Sequence, residues 1–162
     1  AADGSGLGDA LPLAQVAIEP WQGATAVINA PNPTAQNFND ELRLLGYTYN
    51  TRQFTPGDVL EVVLYWQPLP ALVNEYEVLV QVRDGAGQVR TWRQTPLGPS
   101  EALPSNFETA VRLSLPDDLA PGAFDVQVAL IDAVTGAPQN IIAEDGRWLD
   151  NRLLLSKIRV AD

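Results

Sequence analysis

Six segments of the chain alternate apolar and polar residues with a period of two: Leu42–Tyr49, Val59–Trp66, Tyr76–Val82, Val111–Leu115, Phe124–Ile131 and Leu153–Val160. Successive side chains on an extended strand point to opposite faces, so this period sets one row against a core and the other toward water. Turn residues bound each segment, as antiparallel strands joined by tight reversals require. No stretch carries a helical period. The pattern predicts an all-β chain: an antiparallel β-sandwich, immunoglobulin- or fibronectin-III-like, of about seven to nine strands.

The punctuation between these segments agrees. Pro56–Asp58 suits a tight turn, because Pro pre-sets φ and Gly accepts a positive one. Asp84–Gln88 reverses the chain from Tyr76–Val82 into a further strand, Val89–Thr95, as a hairpin. Pro116–Gly122 and Ala133–Pro138 make the next turns, followed by a short Ile141–Ile142 stretch and an acidic turn. Val59–Trp66 is largely apolar on both faces, which predicts a central strand. Gly98–Asn106 is the longest expected loop in the body. Upstream, residues 1–15 lack any periodicity and read as a flexible tether, with a single sandwich domain over 16–162. Gly4–Gly8 resembles a phosphate loop only superficially, since it follows no strand and opens no helix. Val16–Glu19 and Thr25–Asn29 are expected as short edge strands. Ala30–Asp40 reads as turn-prone, because Pro31 and Pro33 lack an amide donor.

Two zeros in the composition exclude whole chemistries. With no cysteine there are no disulfides, thiol nucleophiles or zinc-thiolate sites; with no histidine there is no Ser-His-Asp or Cys-His constellation. The 162 residues carry 20 acidic and 10 basic side chains, a net charge of −10 that repels phosphate backbones, so no nucleic-acid partner is expected. The apolar runs are strand-sized, which predicts no insertion of this segment into a membrane. The chain opens on Ala1 with no basic region leading into an apolar stretch, and is expected to be a mature form or an excised piece of a larger protein.

The run Asn37–Asn50 followed by Pro56–Leu69 carries LLGY, then PGD, then a strand ending in YWQ. Val80–Val89, Leu115–Gly122 and Leu130–Gly136 continue it with a D-x-x-G-x-V turn, an LP…PG turn and an L-x-D-x-x-TG hairpin. This series, covering Asn37 to Gly136, resembles the extracytoplasmic β-sandwich modules appended to polytopic bacterial glycosyltransferase-like membrane proteins. The resemblance implies an extracytoplasmic module tethered to the membrane through its parent, and brings no catalytic residues with it. Asn39 stands where that pattern has Gly, and the loop near Pro99–Asn106 lacks its Trp and Gly-Glu.

Function is therefore expected to be that of a non-catalytic accessory domain, a spacer or docking module, without cofactors. Its partner would be a neighbouring domain of the parent protein or a glycan. Trp21, before Gln-Gly, Trp92 on an expected edge strand and Trp148 in an expected polar turn are the candidate ligand-binding residues, with Arg90 as a hydrogen-bonding neighbour on the Trp92 face and Arg93 pointing the other way. Aromatic faces stack on sugar C–H surfaces, which makes a carbohydrate-binding module the alternative reading. Trp66 falls in phase with Leu60, Val62 and Leu64 and belongs to the core. Asp117, Asp118, Glu144 and Asp145 crowd two turns and are weak metal candidates, without the spacing of a calcium loop. A small glycoside hydrolase working through a carboxylate pair is the remaining alternative.

Overall fold

Each alternating segment is a strand in the computed structural model, which describes residues 32–99, 103 and 105–161. In chain order the strands are β1 (Asn32–Phe38), β2 (Leu42–Tyr49), β3 (Gln53–Phe54), β4 (Val59–Pro68), β5 (Tyr76–Arg83), β6 (Val89–Pro96), β7 (Phe107–Ser114), β8 (Gly122–Asp132), β9 (Ile141–Ile142), β10 (Trp148–Asp150) and β11 (Leu153–Val160). They build a six-stranded sheet, β10-β9-β1-β2-β4-β7, and a five-stranded sheet, β3-β11-β8-β5-β6. All pairings are antiparallel except the short β3–β11 contact. Eight of these strands have seven or more residues, and the other three are two- or three-residue pieces. The prediction of an antiparallel β-sandwich therefore holds. No helix among the described residues is long and apolar enough to cross a membrane.

The inward rows meet as one core. Leu60, Val62, Leu64 and Trp66 of β4 face Val78, Val80 and Val82 of β5 and Phe124, Val126, Val128 and Leu130 of β8. Each such side chain contributes roughly 1.5–3 kcal/mol by leaving water. Trp66 is fully buried and meets Phe38 edge-on, with ring centroids 5.8 Å apart. Strand β4 lies between β2 and β7, the interior position its two apolar faces predict.

Tight turns follow their residues. In Thr55–Asp58 the Asp58 amide donates to the Thr55 carbonyl at 3.1 Å, and Gly57 takes a φ of 89°, a type II turn. A side chain at Gly57 would also strike Asp117 Oδ1, 2.6 Å from where its Cβ would stand. Asn39 and Asp40 form the two-residue β1–β2 reversal with φ of 56° and 59°. Asn suits that geometry, since it tolerates the left-handed region better than most non-glycine residues.

Two expectations are corrected. Within the turn-prone segment Ala30–Asp40, Asn32–Phe38 is the strand β1, paired with β2, and the turn is confined to Asn39 and Asp40 among the described residues. Pro33 is tolerated because β1 has its second neighbour, β9, only at Asn37 and Phe38, and because a register shift begins at Pro33. The strand containing Val111 begins earlier, at Phe107, since its first half lies along a sheet edge where inward residues are only half-buried. The tether at 1–15 and the strands at Val16–Glu19 and Thr25–Asn29 fall outside the described residues, as does part of the 98–106 loop.

A polar clasp closes one flank of the sandwich. Tyr47 Oη donates to the Leu155 carbonyl at 2.8 Å and Tyr49 Oη to the Ser156 carbonyl at 3.3 Å, linking β2 to β11 across the sheets. Arg52 donates to Ser156 Oγ and to Asn32 Oδ1, both at 2.9 Å, with its guanidinium 5.0 Å from the Tyr49 ring centre. Burial pushes the Tyr49 phenol far up.

Candidate functional site

Trp92 lies on β6, the edge strand of the five-stranded sheet, directly opposite Gln81 of β5. Val80 and Val82 point into the core, so Gln81 and Trp92 point out, and Trp92 is 60% exposed. Cross-strand register carries this outward row further: Gln81 faces Gln127 of β8, and Gln127 faces Leu154 of β11. Leu79 opposite Gln94 and Arg83 opposite Val89 flank the row on either side. A shallow depression bounded by Leu79, Gln81, Val89, Trp92 and Gln94 results.

The polar groups of this face are already oriented. Arg83 donates to Gln81 Oε1 at 3.4 Å and to the Gly87 carbonyl at 2.9 Å. Gln94 gives its amide hydrogen to Glu77 Oε1, and Lys157 is bound to Asp125. Gln127 Oε1 is buried with no hydrogen-bond partner among the described residues.

Arg90 does not share this face. The β5–β6 register skips from Thr91 opposite Val82 to Val89 opposite Arg83, leaving Arg90 as the extra residue of a bulge. Its guanidinium lies 3.8 Å from Asp84 and 3.6 Å from Asp118 instead.

Trp148 occupies β10 rather than a turn, at the far edge of the six-stranded sheet, opposite Ile142 and 74% exposed. Strand β6 is at the other flank, beside β7, where Thr91 Oγ1 donates to the Ser114 carbonyl at 3.2 Å. Trp92 and Trp148 thus cannot share one platform, and Trp21 falls outside the described residues. Beside Trp148 runs a cleft of about 690 Å³ bordered by Asn37, Asp40, Arg43, Glu144 and Leu149.

The acidic turns are engaged locally. Asp118 reaches toward Arg90, and Asp145 binds Arg147 Nε at 2.7 Å. The Arg147 amide and side chain hold the Asp145 carboxyl below its ordinary value. Asp117 abuts the Gly57 turn and Glu144 borders the cleft. Among the described residues no three acidic side chains gather as an ion site.

The sequence reading missed Glu41, a buried carboxylate at the loop end of the sandwich. Its oxygens accept from the Val73 and Asn74 amides at 3.1 Å, Asn74 Nδ2 at 2.9 Å, Tyr76 Oη at 2.7 Å and Asn39 Nδ2 at 3.2 Å. Burial pushes the carboxyl up, but these hydrogen bonds, led by Tyr76, outweigh it and hold it below the ordinary value. Burial and the Glu41 carboxylate together push the Tyr76 phenol up to about 12. Glu41 thereby ties the β1–β2 turn to the β4–β5 loop. Further bonds, Asn39 N to Asn140 O and Ala133 N to Glu75 O, both at 2.9 Å, add the β8–β9 loop. Val73 and Val134 stand on these joined loops, 74% and 89% exposed.

No family model matches the chain, and no curated protein matches it. Solved structures of similar fold include a glycosyl hydrolase family 2 member from Bacteroides cellulosilyticus, at 8% identity and a TM-score of 0.46, matched over 68% of this chain and 14% of that one. The CARDB domain of a Pyrococcus furiosus protein is similar at 12% identity and a TM-score of 0.40, over 80% of this chain and 92% of that one. A β-glucosidase from Listeria innocua is similar at 10% identity and a TM-score of 0.42, over 75% of this chain and 16% of that one. The chain spans well under two thirds of both glycoside hydrolases.

Proposed function

We propose that this chain is a non-catalytic accessory module of a larger extracytoplasmic protein, tethered through residues 1–15 and serving as a spacer or docking unit. In this reading it is a module of the kind appended to bacterial glycosyltransferase-like membrane proteins, and its partner is a neighbouring domain of the same protein. The observation that carries it is the pinned loop end. Glu41 ties the β1–β2 turn to the β4–β5 loop, backbone hydrogen bonds add the β8–β9 loop, and the joined surface offers Val73 and Val134 to solvent. A preorganised apolar tip loses little entropy on contact, which suits permanent docking.

The second reading, glycan binding, is favoured by the exposed Trp92 on a strand face.

The test is to determine the complete reading frame that encodes this chain. A membrane-spanning or catalytic region beside the sandwich is expected. A frame that encodes this sandwich alone would overturn the proposal.

A further inference from the structure

We infer that the outer face of the five-stranded sheet, centred on Trp92, binds an extended, uncharged polysaccharide. This inference rests on the accessory reading above and gives that module a ligand.

The row Trp92–Gln81–Gln127–Leu154 takes one residue from each of four adjacent strands. Three inter-strand steps of about 4.8 Å make it roughly 14 Å long, the span of two to three sugar rings. Both ends are apolar and exposed, and the middle is amide. A pyranose has the matching division, with C–H faces for the indole to stack on and hydroxyls around its rim.

The existing hydrogen bonds decide which amide atoms remain for a ligand. Gln81 Oε1 is occupied by Arg83, which leaves the Gln81 NH2 to donate. Gln94 spends a hydrogen on Glu77, which leaves its Oε1 to accept. A donor and an acceptor thus flank the indole, and a sugar hydroxyl can use either. Gln127 Oε1, buried without a partner at the centre of the row, is an acceptor that a reoriented amide would turn to a hydroxyl.

Charge selects the polymer. The ionic groups beside the row are engaged locally: Arg83 donates to Gln81 and the Gly87 carbonyl, Lys157 pairs with Asp125, and Glu77 accepts from Gln94. The net charge of −10 opposes uronate or sulfated chains. The platform is open and nearly flat, so it suits the side of a long chain better than an enclosed sugar end. Being built on strands, it is also held more firmly than a loop site.

The experiment is native affinity electrophoresis of the whole chain through gels containing mixed-linkage β-glucan, galactomannan or arabinoxylan, with alginate as the anionic control. Retardation by at least one neutral polymer and none by alginate is expected. Trp92→Ala should weaken it at least about tenfold and Gln81→Ala several-fold, while Trp148→Ala leaves it unchanged. Circular dichroism melting should show Trp92→Ala folded, since the side chain packs into no core. No retardation by any neutral polymer would overturn the inference, as would retardation insensitive to Trp92→Ala. Loss with Trp148→Ala instead would move binding to the β10 edge and equally overturn it. These failures leave the accessory reading standing, whereas release of reducing sugar from a retained polymer would overturn its non-catalytic part.

Discussion

Changing the Glu41 carboxylate to an amide keeps its shape and alters only what its five donors face. In Glu41→Gln, an NH2 group would confront amide hydrogens that cannot accept from it. A loss of roughly 1–3 kcal/mol in chemical denaturation is expected at neutral pH. The sign of the pH dependence follows from the lowered pKa. Folding keeps this carboxyl ionised below the pH at which the unfolded chain would protonate it. Its contribution is therefore complete above about pH 4.5 and is lost as pH falls through the folded value. Wild-type stability should drop more steeply than that of Glu41→Gln below about pH 4.5, and parallel curves would rule out this role. Tyr76 works at the other limit: its phenol titrates near 10 when unfolded and about 12 when folded, so its contribution disappears between those values.

At the scale of the strand, the two tryptophans of β4 and β6 make a controlled comparison. Trp66→Ala would empty a fully enclosed site and cost about 3–5 kcal/mol, whereas Trp92→Ala should stay within about 0.5 kcal/mol of wild type. Equal losses in urea unfolding would mean that Trp92 packs into the fold and is no platform. Strand alternation made this distinction readable beforehand, because Trp66 is in phase with Leu60–Leu64 and Trp92 sits on a polar segment. It also placed β2 and β11 to the residue. What it could not convey was anything set between strands. Arg90 leaves the Trp92 face through a one-residue bulge, which local periodicity does not announce. Gln127 and Leu154 join Trp92 only through the register of β5, β8 and β11, pairings between residues distant in the chain. Glu41 was invisible for a related reason: one acid after a turn looks solvated until the β4–β5 loop folds over it. Trp148 looked like a turn residue because three-residue β10 is too short to show a period.

For the whole molecule, twenty acids against ten bases mean that each folded copy compresses a net charge of −10 into a small volume. Salt screens that self-repulsion, with the Debye length falling from about 30 Å at 0.01 M to about 8 Å at 0.15 M. The melting temperature at pH 7 should therefore rise by a few degrees across that range. A fall would mean that local ion pairs such as Glu61–Arg112, at 3.0 Å, outweigh the collective field.

The clasp at Arg52 has a mechanical side. Tension applied between Asn32 and Val160 would enter through one sheet and leave through the other. Arg52 holds Asn32 and Ser156 together, and its neighbours Gln53 and Phe54 run parallel to the end of β11. The Arg52 carbonyl accepts from the Arg159 amide at 2.9 Å, and the Phe54 carbonyl from that of Ala161 at 2.8 Å. A pull along the axis of β11 crosses these bonds and loads them together in shear, not one by one like a zipper. Linked in series with other domains, the sandwich would transmit force as a stiff bead while the chain around it stretched.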